Sequence, residues 1–377
     1  MPWRKRIYLD RAAGAAGNPS SPHEEGRRAK VMLEDARAEI ARLVEVQSDD
    51  VIFTSGATES NALAILGHVR ARRYTVSERA HVLYLPTAHA SIVENMQLLA
   101  AEGVVIEALP IRAGCVDTDR LSKMLRRETV LVSMDAVCGE TGIVWNTREV
   151  AQVLRNAPGS SAAGRILLHV DASQAPLTEK IMRAHFGADL LTFDASKVGV
   201  ARGIGVLVAH RTIPIIPLYG GGGQERALRS GTEAPELARS FSTALRAAVS
   251  GRAVFRAAAQ RNRANLIRVI TNAIPNVYIQ EGRAQAPHIL NLSFPGRDTD
   301  YLVALLDEAG FAVSTRSACE TDSEDGSRAV FALTGDRDRA RATLRISWDS
   351  RIRSRSFDRF SIALLRGIAF LDTTSRR

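Results

Sequence analysis

Short apolar runs, each about the length of a strand, alternate along this chain with stretches of helical periodicity. That alternation constrains the fold more than any other feature. The runs are Val51 to Thr54, His81 to Leu85, Gly103 to Ala108, Thr129 to Met134, Ile166 to Val170, Leu190 to Phe193 and Gly205 to Ala209. Among the intervening stretches, Arg28 to Val46 places Val31, Ile40, Leu43 and Val44 on one helical face, and Glu59 to Arg70 and Ser91 to Ala101 read as further helices. Apolar strands alternating with helices predict an α/β fold: a mostly parallel central sheet with helices on both faces.

The texture changes after about Ser250. A helix is expected over Ala253 to Asn272, strands over Val277 to Gln280 and Ile289 to Phe294, and a helix over Thr299 to Ala309. A short strand at Ala312 to Ser314 and a last helix near Phe357 to Leu371 complete a smaller α+β domain. The expected division is a large α/β domain over 12–252, with 1–11 and 253–377 forming the small domain. A chain of 377 residues is long enough for both.

Three cysteines, Cys115, Cys138 and Cys319, are too few and too scattered for a disulfide framework or a four-ligand zinc site. Each is then a buried small hydrophobe or a reactive thiol. Cys115 reads as structural, and Cys138 lies close to the expected pocket. The net charge of +9 could serve an acidic or nucleic-acid partner. The basic residues are spread out and no basic block is interleaved with aromatics, so direct nucleic-acid binding is not the expected function. The basic, strand-like start lacks an apolar secretory core, and no run is long enough to span a bilayer. The expected location is the cytoplasm, with no membrane partner.

Three motifs carry chemistry. Ser55-Gly56-Ala57-Thr58-Glu59-Ser60-Asn61 lies between a strand and a helix, where free backbone N–H groups and the helix dipole favour phosphate. Alone it is no more than an ordinary cap. His169-Val170-Asp171-Ala172-Ser173-Gln174 puts an acid at the carboxyl end of an apolar strand, facing the crevice where open α/β sheets bind ligands. Asp194-Ala195-Ser196-Lys197 puts a lysine at the next such strand end. Pyridoxal phosphate needs this set: a lysine for the Schiff base, a carboxylate for the pyridine nitrogen and a helix start for the phosphate.

With these residues in hand, the sequence resembles the cysteine desulfurases of the class V aminotransferase family, which share the fold-type I architecture of pyridoxal-phosphate transferases. The likeness runs from Ile7 to about Leu371. It is carried by Gly17-Asn18-Pro19-Ser20-Ser21, the two motifs at Thr54 to Ser60 and His169 to Gln174, Gly221 to Arg226, Arg229 to Thr232, Ser317-Ala318-Cys319 and Leu344 to Ser347. The resemblance implies that Lys197 forms the Schiff base, Asp171 meets the pyridine nitrogen, Gln174 meets the phenolic oxygen, and His89 stacks on the ring and shuttles protons. Ala57, Thr58 and Ser196 would contact the cofactor, and Thr232 would reach the phosphate of the partner subunit in a homodimer. Arg345 and Asn18 would bind the L-cysteine substrate, with Arg345 as a bidentate fork on its carboxylate. Cys319 would attack the substrate sulfur, giving alanine and a persulfide for a sulfur-acceptor protein such as an iron–sulfur scaffold or a tRNA-thiolation protein. Selenocysteine lyase, aminotransferase and non-catalytic partner-binding readings stand as alternatives.

The chain departs from the family at several places. The stretch between Asp10 and Gly17 is short, Ser196 stands where a histidine is common, Gly139 stands for an asparagine, and Arg316 stands for a glycine. Asp194 takes the place of a serine that usually touches phosphate. Its charge would repel phosphate, so it is expected to point elsewhere or to pair with a cation.

Overall fold

The structure, a computed structural model, describes residues 7–14, 17–73, 79–157, 165–199, 201–315 and 326–374. Helix α1 (Glu24–Val44) leads into β1 (Val51–Thr54), α2 (Ala57–Ala62) and α3 (His68–Arg73). A π-helical turn over Leu63–Gly67 joins α2 to α3, so the helix predicted to start at Glu59 begins two residues earlier and is wound differently in its middle. Next come β2 (His81–Tyr84), α4 (Ala90–Ala101), β3 (Val105–Ala108), the ribbon β4 (Ile111–Arg112) and β5 (Cys115–Val116), and α5 (Thr118–Met124). Then β6 (Thr129–Asp135), α6 (Thr147–Arg155), β7 (Leu167–Asp171), α7 (Arg183–Phe186), β8 (Leu190–Asp194) and β9 (Gly205–Ala209) complete the large sheet.

Its seven strands run in the order β1-β9-β8-β7-β6-β2-β3. The neighbours from β8 through β3 are parallel, and β9 pairs antiparallel with both β8 and β1. All seven residues of β6 and all five of β7 are buried, as a sheet covered on both faces requires.

Helix α8 (Pro235–Ala273) is 39 residues long and starts with a proline at its first turn, where the missing N–H costs nothing. The predicted helix covers only its second half; Ser240, Ser242, Thr243, Ser250 and Gly251 interrupt the apolar period of the first half. Phe241 and Leu245 of α8 pack into the core around the large sheet, whereas Phe255, Leu266 and Ile270 pack into a second core. That second core is built on the antiparallel strands β10 (Tyr278–Ile279), β11 (Ile289–Ser293) and β12 (Thr343–Ser347). Helices α9 (Thr299–Glu308) and α12 (Ser354–Thr374) pack on it, and α10 (Arg328–Thr334) and α11 (Arg337–Arg341) precede β12. The strand expected at Ala312 to Ser314 reduces to one bridge, Ser314 to Arg345. Among the described residues no helix is long and apolar enough to cross a membrane.

Candidate active site

The parallel strands end on one side of the sheet, and their carboxyl ends surround a cavity of about 330 Å³. Strand β1 delivers Ala57 and Thr58, β2 delivers His89, β7 delivers Asp171 and Gln174, and β8 delivers Lys197. Arg345 enters from β12 and completes the wall. Seven of the residues picked out by motif therefore meet in one place, although they span 289 positions of sequence from Ala57 to Arg345. The crevice at the carboxyl ends of an open sheet is where such folds bind ligands.

Three other candidates lie elsewhere. Asn18 donates its amide to the Ala13 carbonyl at 3.4 Å and accepts from the Ser20 N–H at 2.9 Å, away from the cavity wall. Thr232 is exposed and outside the wall. Ser196 gives its hydroxyl to Asp194 at 2.5 Å and lines a neighbouring cavity instead. Cys319 lies outside the described residues, as does Arg316. The described residues on either side of that ten-residue stretch are tied to the site. On one side, Ser314 exchanges two backbone hydrogen bonds with Arg345, at 2.6 and 3.3 Å. On the other, the Ser327 hydroxyl donates to Glu140, and Arg328 donates to the Pro86 and Ala88 carbonyls at 2.8 and 3.0 Å.

Asp171 is buried and locked. One oxygen accepts from the Ser173 N–H at 2.9 Å, and the other accepts from the Asn61 amide at 2.7 Å. The same Asn61 amide donates to the Ser91 hydroxyl at 2.8 Å, and Ser91 lies 2.9 Å from His89 Nδ1. His89 Nδ1 also accepts from the Ser91 N–H at 3.2 Å, capping α4. An acceptor at Nδ1 puts the proton of the neutral ring on Nε2. Asn61 and Ser91 thus link His89 to Asp171. Sequence motifs alone miss both, because neither has a side chain distinctive by type; Asn61 falls within the first motif but has no role assigned by it.

The floor holds a further surprise. Asp135 is fully enclosed beside Asp171, with Oδ1 unpartnered among the described residues. Burial, then the charge of Asp171, push its carboxyl up to about 8. Cys138 also lines the cavity, with its thiol donating toward the Thr87 carbonyl at 3.7 Å. Burial, with Asp135 and Glu140 adding to it, pushes that thiol up to about 12, so it stays protonated at neutral pH. It lies beyond the end of β6, between the Val137 bridge and the turn that begins at Gly139, and Cys115 follows the Ala113-Gly114 turn at the start of β5.

The expectation for Asp194 needs correction. Its side chain does not point elsewhere, and among the described residues it meets no cation: it lines the cavity and accepts from the Ala57 N–H at 2.9 Å. An unsatisfied amide at a helix start attracts the nearest anion, and here the chain supplies its own.

The cavity suits pyridoxal phosphate in its donor set. A lysine, a locked buried carboxylate, an Nε2-protonated imidazole and a guanidinium converge on it. A Cβ at Gly139 would stand 3.0 Å from Gln174 Nε2, so the missing side chain leaves Gln174 its place on the wall. The phosphate end is contested by Asp194.

The profile of the aminotransferase class-V family matches residues 6–349. The chain is 30% identical over 332 residues to cysteine desulfurase IscS 1 of Archaeoglobus fulgidus, covering 87% of this chain and 83% of that one. Among solved structures it superposes on a NifS-like protein with a TM-score of 0.84 at 26% identity, over 94% of this chain and 92% of the other. It superposes on DndA from Streptomyces lividans with a TM-score of 0.73 at 31% identity, over 90% and 93%. With strand order, site geometry and these likenesses in agreement, the chain is a member of the class V aminotransferase family, in the fold-type I architecture.

Proposed function

We propose that this chain is a cysteine desulfurase, a pyridoxal-phosphate enzyme that moves sulfur from L-cysteine to its own Cys319. The observation that carries the reading is the convergence of Lys197, Asp171, His89 and Arg345 on one cavity at the strand ends. Bound pyridoxal phosphate supplies an electron sink for the carbon skeleton of the amino acid. Lys197 would hold it covalently, and Asp171, fixed by Asn61 and the Ser173 N–H, would keep a proton on the ring nitrogen. Gln174 would face the phenolic oxygen, and Ala57 and Thr58 would face the phosphate. His89, with its ring oriented by Ser91, would carry protons at Nε2. Arg345, whose Nη1 leans on the Gly139 carbonyl at 3.3 Å, would clamp the substrate carboxylate.

Cys319, as thiolate, would take the substrate sulfur. The overall change balances: L-cysteine and the enzyme thiol give L-alanine and an enzyme persulfide. Cys138, buried and held protonated, is not the nucleophile. The exposed Thr232 would complete the phosphate site of a partner subunit, making a homodimer the working form. A cytoplasmic sulfur-acceptor protein of the iron–sulfur scaffold or tRNA-thiolation kind would take the persulfide.

The test is the absorbance spectrum of the protein with added pyridoxal phosphate, before and after L-cysteine, with alanine assayed in the same tube. A yellow lysine-bound band that shifts with cysteine, with alanine formed, is the expected result. A band that survives Lys197→Ala, or a protein that stays colourless, refutes the reading.

A further inference from the structure

Asp194 ends β8 with its carboxylate turned onto the turn that starts α2. One oxygen accepts from the Ala57 N–H at 2.9 Å. The other accepts from the Ser196 N–H at 2.8 Å and from the Ser196 hydroxyl at 2.5 Å. Two departures from the family pattern are therefore one structural unit: Ser196 uses its hydroxyl to hold Asp194. The neighbouring amide is taken as well, because the Ser55 N–H donates to Glu59 at 2.5 Å. Among the described residues Asp194 makes no ion pair that would neutralise it.

The turn cannot back away from this carboxylate. A Cβ at Gly205 would lie 2.7 Å from the Gly56 backbone, so β9 already presses on the turn from behind. A Cβ at Gly56 would stand 3.3 Å from Asp194 Oδ2. A phosphate reaching the same donors must compete for the Ala57 N–H and face a negative charge at hydrogen-bond range. Swinging Asp194 aside sacrifices its two bonds to Ser196.

We propose that Asp194 discriminates against a dianionic phosphate, so that the chain binds its cofactor through the ring and aldehyde, with little help from the phosphate. This rests on reading the cavity as a pyridoxal-phosphate site. The usual ranking, in which the phosphate ester binds far better than the bare alcohol, is then flattened in this protein. Asp194 and Ser196 together set how much the phosphate adds to binding.

The experiment titrates the full chain, stripped of cofactor, with pyridoxal phosphate and separately with pyridoxal, following the lysine-bound absorbance band and tryptophan fluorescence. The unaltered protein is expected to bind the two compounds within about tenfold of each other, and Asp194→Ser to tighten pyridoxal phosphate by about tenfold or more with pyridoxal unchanged. Asp194→Asn, which keeps an acceptor for the Ala57 N–H and loses only the charge, is expected to move in the same direction. Pyridoxal binding that persists while neither substitution tightens the phosphate ester overturns the inference and leaves the cofactor reading intact. Failure of both compounds to bind all three proteins overturns the cofactor reading and this inference with it.

Discussion

Asp135 and Asp171 occupy paired positions on adjacent parallel strands, β6 and β7, and share the floor of one cavity. Asn61 and the Ser173 N–H hold the Asp171 carboxylate in place, whereas burial first and the charge of Asp171 second push the Asp135 carboxyl up to about 8. Two carboxyl groups with different roles result from two different sets of donors.

A pH dependence follows. Asp135 binds its proton up to about pH 8 in the folded chain, whereas an unfolded aspartate releases it near pH 4. Folding takes up a proton across that window, so this group makes stability fall as pH rises from about 4 to 8. Asp135→Asn is expected to remove that slope, with a gain of a few kcal/mol above pH 8, because each tenfold change in proton affinity is worth about 1.4 kcal/mol. Urea denaturation at pH 5 and pH 8.5 checks it: a variant with the same difference between the two pH values as the parent would show that Asp135 is not the group.

Cys319 and Cys138 are expected to behave oppositely. Cys319→Ser should keep the cofactor band and lose persulfide and alanine formation, while Cys138→Ser should keep most activity. In the intact protein, iodoacetamide at neutral pH should label Cys319 and spare Cys138, whose thiol is pushed up to about 12. Mass spectrometry of the digested protein reads the difference, and preferential labelling of Cys138 would reverse the assignment.

Arg345→Ala should weaken L-cysteine binding by about 2–4 kcal/mol. Arg345→Lys should recover only part of this, since an ammonium cannot make the two parallel bonds of a guanidinium fork. The readout is the cysteine concentration that half-shifts the absorbance band; equal values for all three proteins would rule out the clamp.

A structural prediction concerns Glu225. Its buried carboxylate accepts from Arg37 at 2.7 and 2.8 Å and from the Phe53 N–H at 2.7 Å. This pins Glu225, Arg226 and Ala227, three successive residues with positive φ, against β1. Glu225→Gln leaves the buried Arg37 with the half-exposed Glu34, at 3.1 Å, in place of its buried anionic partner and should cost about 3 kcal/mol of stability. A denaturation midpoint equal to that of the parent would contradict it.

The sheet is legible in the sequence because a strand buried on both faces is apolar throughout, and each of the seven runs forms a strand. Asp171 and Lys197 are legible because each follows an apolar run at its carboxyl end, whereas His89, which caps α4, and Arg345, in the middle of β12, are legible only through the family resemblance. Asp135 and Arg328 are not: an acid at the end of an apolar run and an arginine at the start of a helix have no local signature. Their place on the wall depends on residues 193 positions apart meeting in space. Asp194 stands out in the sequence as anomalous, yet its direction does not follow from repulsion of a phosphate; the attraction of the Ala57 amide decides it. The long helix reads short because small polar residues hide its period.

That helix, α8, contributes side chains to both cores without a break over 39 residues. One residue inserted near Ser250 would rotate one core against the other by about 100° and shift it by about 1.5 Å. Arg345, carried by β12 of the second core, and Lys197, which follows β8 of the large sheet, would no longer line the same cavity. Surface loops in general tolerate changes of length, whereas α8 works as a gauge whose residue count is part of the catalyst.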